Sequence, residues 1–99
     1  MNIINLKKYG VAITQKDIAL KIYHGIKAMN PSNNVVVVDM MGVIAMTTQC
    51  ANIIFGTLYR ELCSDTYFQN IKMKNATKEI SFVIDMGLDH ARKIAGTIA

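Results

Sequence analysis

Tryptophan is absent from this 99-residue chain, proline occurs once, and cysteine only twice. Each scarcity excludes something. With a single proline and no Gly/Ser-rich stretch, there is no linker to divide the chain, and its length suits one domain spanning 1–99. Cys50 and Cys63 are too few for a disulfide framework and lack the paired spacing of a zinc site. Both fall in one helical segment, where they read as small buried apolar residues. No stretch reaches the roughly 18 uninterrupted apolar residues of a membrane span. The start, Met1-Asn2-Ile3-Ile4-Asn5, has neither a basic lead nor a small-residue cleavage site, so a cytoplasmic location is the default expectation.

The chemistry of catalysis is equally sparse. The glycines are isolated, so nothing resembles a phosphate-cradling loop. His24 and His90 fall on different helices without a second ligand at metal spacing. Ser32, Ser64 and Ser81 sit in no nucleophile motif, and Asp39 is the one acid at a predicted strand end, where glycosidic chemistry needs a pair. The expectation is a protein that is not an enzyme, with no catalytic residue, no cofactor and no metal. The formal charge of +4 admits an acidic partner. Its nine lysines are spread along the chain, however, and arginine, the better phosphate reader, appears only at Arg60 and Arg92. Weak nucleic-acid binding, suggested only by charge, ranks third among the classes of function, ahead of an enzyme.

What the chain has in abundance is apolar residues, 52% of the total, enough to bury a core. Asn2–Leu6 is short and β-prone, and Val11–Ile13 could pair back on it. Thr14 followed by Asp17 looks like a capped start, after which Ile18, Ile22, Ile26 and Met29 trace one face of a helix that Asn30-Pro31 stops. Val35-Val36-Val37-Val38 has no polar alternation and predicts a central strand sheathed on both faces, ending in Asp39. An apolar connection, Met40 to Met46, leads to Thr47 or Thr48 as the cap of a second helix. That helix is apolar on more than one face and is expected to end near Ser64-Asp65-Thr66. A short strand over 70–73 and a last helix, capped by Asn75 or Thr77 and striped by Ile80, Ile84, Leu88, Ala91, Ala95 and Ile98, complete the chain. The alternation predicts an α/β domain: a small mixed sheet of about four strands with three helices.

In such sheets, sites gather at the carboxyl ends of strands, here 39–48 and 73–77. Asp39 either satisfies the backbone donors of the turn after it or forms a polar site beside Thr47 and Thr48. The two threonines are either plain caps or, at a helix start that tolerates anionic groups, phosphoacceptors. The methionines suit either a core or an adaptable contact surface.

The run Val35–Val43, followed by Met46-Thr47-Thr48-Gln49-Cys50-Ala51-Asn52-Ile53-Ile54-Phe55-Gly56, resembles the STAS-like domain family of bacteria and phages. Asp39, Gly42, Val43, Ala51, Asn52, Phe55 and Gly56 carry the resemblance, and Ile71 to Ala76 resembles the strand-to-Asn turn before that family's last helix. It implies kinship with anti-sigma-factor antagonists, cofactor-free α/β domains that bind a histidine-kinase-like ATPase and release it on phosphorylation. By that likeness Thr48 falls at about the phosphoacceptor position, although this chain has Thr47 where antagonists favour Asp. The expected partner-binding set is Asp39, Met41, Met46, Thr47, Thr48, Gln49, Asn52 and Asn75. The leading expectation is a regulatory adaptor docking another protein through 40–48 and the second helix. A homodimeric inhibitory or structural protein from a phage or mobile element is the alternative.

Overall fold

The computed structural model describes residues 2–98, with side chains through residue 93. In chain order it runs β1 (Asn2–Asn5), a 3-10 turn (Leu6–Tyr9), β2 (Ala12–Ile13), α1 (Lys16–Ala28), β3 (Val36–Asp39) and β4 (Ala45–Met46). Then come α2 (Thr48–Ala51), a π-helical turn (Asn52–Gly56), α3 (Thr57–Asn70), β5 (Ile71–Lys74) and α4 (Lys78–Ile98). Helix α2, the π turn and α3 follow one another without a gap, so the described residues form three helical bodies in an α/β fold.

The strands differ from the expected mixed sheet in an instructive way. They form two small sheets, of order β1-β3-β5 and β2-β4, and every pairing is parallel. Val11 to Ile13 therefore does not fold back on β1. Its Ala12 and Ile13 pair instead with Ala45 and Met46, a non-local partner two residues long. Local periodicity carries no signal for so short a strand.

β3 takes the middle of the three-stranded sheet, as its valines predict. Its burial is one-sided, which corrects the expectation of two covered faces. Val36 and Val38 are wholly buried with Ile4 and Ile71, while Val37 is partly open and Val35 is 48% exposed. The order β1-β3-β5 steps the same way across the sheet twice, and right-handed crossovers then carry both helical connections over one face. On the other face Ile3, Val37 and Lys72 stand in register.

The covered face meets a core in which α1 contributes Ala19, Ile22 and Ile26 and the π turn contributes Ile54 and Phe55. The π turn lies between α1 and α4. Burial of one such large side chain stabilises by about 1.5–3 kcal/mol. Gly56 and Gly87 let α4 approach closely: a Cβ on Gly87 would stand 3.2 Å from the Asn52 backbone nitrogen. No residue with a side chain fits that contact without movement.

Element ends follow their caps. The Thr47 hydroxyl accepts from the Cys50 N–H at 3.2 Å and the Thr77 hydroxyl from the Ile80 N–H at 3.1 Å, two of the expected caps. Helix α1 has Gln15 as its N-cap, without a side-chain cap, so Thr14 does not serve there. The second helical body does not stop at Ser64. It kinks at Cys63 (φ 67°, ψ 162°) and resumes as far as Asn70. Cys63 is exposed, so only Cys50 joins the core. Ile80, Ile84, Leu88 and Ala91 are buried as the stripe requires; Ala95 and Ile98 lie outside the residues whose side chains are described.

Candidate functional site

The carboxyl ends of β3 and β5 are tied together by one carboxylate. Asp39 Oδ1 accepts from the Met41 N–H at 3.0 Å and from Asn75 Nδ2 at 3.0 Å. Asn75 presents that amide from a left-handed backbone (φ 62°), a conformation that asparagine tolerates better than most residues. The two hydrogen bonds, Asn75 first, hold the Asp39 carboxyl below its usual range. Asp39 thus satisfies the donor of the turn after it, one of its two expected roles, and adds a strand-to-strand tie that sequence reasoning did not propose.

The connection after Asp39 is fixed along its whole length. Met40 N–H donates to Lys74 O at 2.9 Å, Val43 N–H to Met40 O, Ile44 N–H to Val11 O at 2.8 Å and Thr47 N–H to Ile13 O. Gly42 makes the turn at φ 86°, in the left-handed region, with the Lys7 side chain lying against it. These bonds divide the segment by direction. Met40, Val43 and Met46 point into the core. Met41 and Ile44 point out, 62% and 70% exposed. Met46, expected among the partner-binding residues, is therefore a core residue: its pairing with Ile13 in the small sheet turns it inward.

Thr47, Thr48 and Gln49 are exposed where α2 begins. Thr47 spends its hydroxyl oxygen on the cap. Thr48, Gln49 and Asn52 gather instead with Met86, Gly87 and His90 of α4 around a cavity of about 330 Å³. The expected site residues thus fall into two groups, Asp39 with Met41 and Asn75, and Thr48 with Gln49 and Asn52. His90 belongs to the second group, a neighbour that its place in a different helix concealed in the sequence.

Asn52 opens the π turn, a type of insertion found often at functional sites. Its Oδ1 is buried without a hydrogen-bond partner and lies 2.4 Å from where a Cβ on Gly56 would stand. Only glycine there leaves room for the amide.

Among the described residues, no group of three His, Cys, Asp or Glu could hold a metal ion, and no helix is long and apolar enough to cross a membrane. The arrangement offers exposed apolar side chains on a hydrogen-bonded platform and, in the second group, an exposed Thr48 at the start of α2. Compared with protein-family models, curated proteins and solved structures, the chain matches none.

Proposed function

We propose that this protein is a small regulatory adaptor that docks another protein through the connection 40–48 and the start of α2, without catalysis of its own. The observation that carries the reading is the outward display of Met41 and Ile44 from a connection whose backbone is already bonded at both ends. Apolar groups held in place before binding lose little freedom on contact, so their burial goes into affinity. Flexible Met41 suits an adaptable partner surface.

The resemblance to STAS-like domains and their anti-sigma-factor antagonist cousins supplies the partner class, a histidine-kinase-like ATPase in a bacterial or phage system. Thr48 is the phosphoacceptor in this reading because its hydroxyl is exposed while that of Thr47 is occupied by the cap. A phosphate there would put about two negative charges beside the docking face and drive the partner off.

The experiment is affinity capture from the native host, followed by titration of the purified captured protein. Wild type should recover the ATPase. Met41→Ser/Ile44→Ser and Thr48→Asp should each weaken binding by at least about 10-fold, a loss of the size expected from removing interface anchors. Equal affinity for all three proteins sinks the docking site. Loss with the first variant alone removes the phospho-switch and leaves the docking.

A further inference from the structure

Helix α4 carries its exposed large apolar side chains along a ridge. Phe82 is 66% exposed and Met86, one turn on, is 44% exposed. The ridge forms one wall of a groove of about 400 Å³ between α4 and the end of α3, which Phe68, Leu88 and Arg92 line together with the carboxylates of Asp85 and Asp89. Phe68 is itself 48% exposed. Large aromatic groups left this open in a small domain mark an interaction surface.

The charges along the same helix say which partner fits. Before Met86, α4 carries Lys78, Glu79 and Asp85, one acid in excess; after it come Asp89, Arg92 and Lys93, one base in excess. A helix of this kind complements itself when a second copy crosses it antiparallel. We infer that a second copy of this chain docks here about a two-fold axis near Met86, each copy placing Phe82 in the Phe68–Leu88 groove of the other. Met86 then meets its own symmetry mate, and the acidic half of each helix lies over the basic half of its partner. The surface is self-complementary, as a two-fold interface requires, with each copy supplying one knob and one hole. A central aromatic in a pocket is the usual anchor of such contacts. Met86 also lines the cavity at Thr48, Gln49 and Asn52, so this face adjoins the start of α2, but the inference does not rest on the adaptor reading.

Sedimentation equilibrium at about 100 µM protein tests it, a concentration at which an interface with a Kd of about 1 µM is filled. Wild type should be a dimer. Phe82→Glu should weaken self-association by about 100-fold while its melting temperature stays within a few degrees of the dissociated wild type. Met86→Cys in a Cys63→Ser background should form a disulfide-linked dimer under mild copper–phenanthroline oxidation, and Val11→Cys in the same background should not. A wild-type monomer at that concentration overturns the proposal. So does a dimer that survives Phe82→Glu and shows no Met86→Cys link.

Discussion

The seven residues from Met40 to Met46 have two sides, and the contrast between them separates fold from function. Met40, Val43 and Met46 are inside, at positions three apart, and their burial anchors the connection to the core. Met41 and Ile44, one position after the first two, are outside, each with well over half of its surface exposed. Both sides carry methionine and a β-branched aliphatic residue. Direction alone distinguishes a methionine that holds the domain together from one that is free to meet a partner, and direction is imposed by Gly42, Asp39 and the pairing of β4 with β2.

Met40→Ala is the strongest test of the inner side. It should lose about 2–5 kcal/mol of stability in denaturant titration, the range for truncating a buried large side chain. Gly42→Ala comes next: a Cβ at φ 86° costs about 1–2 kcal/mol, and it would also strike the Lys7 side chain. Tyr67→Phe should go the other way. Tyr67 is buried, its hydroxyl has no partner, and burial, with Asp85 nearby, pushes its pKa up. Removing that oxygen should stabilise by about 1 kcal/mol, read as a higher melting temperature. Met41→Ser/Ile44→Ser should change stability by no more than about 0.5 kcal/mol. A large loss there would mean that the outer side also holds the fold, and the contrast would fail.

The smallest effect concerns the tie that sets direction. Asp39 has a folded pKa below its ordinary value, so its contribution is present above the ordinary carboxylate range and is lost as pH falls through the lowered value. Glu61 behaves likewise, held down by the Tyr23 hydroxyl and then by Lys27. Asp39→Asn should therefore flatten the acid side of the stability profile without abolishing it, because Glu61 still titrates there. An unchanged profile would show that the Asn75 and Met41 bonds do not form.

How much of this was legible in the sequence depends on the range of the interaction. The α1 stripe, the tetravaline strand in mid-sheet and the caps at Thr47 and Thr77 are local patterns, and the residues announce them. The sheet's uncovered face was not legible, since an unbroken apolar run does not say whether both of its sides will be covered. The pairing of β2 with β4 joins segments more than thirty residues apart through two residues each, and the kink at Cys63 places a non-glycine residue at positive φ with no sequence sign. The π turn is similar: Asn52 and Gly56 could be quoted from the sequence, but their fit against Gly87 needed the helices in place. In the candidate site, Asp39 was found by its position at a strand end. Met41 and Met46 could not be told apart, because a spacing of three in an irregular connection belongs to neither a helix nor a strand.

Native-state hydrogen exchange over residues 40–47 tests most directly whether this connection is a fixed platform. The amides of Met40, Met41, Ile44 and Thr47 should exchange slowly despite the exposed side chains around them, and Asp39→Ala should release Met41 in particular. Exchange at the rate of an unstructured peptide in the wild-type protein would contradict the account.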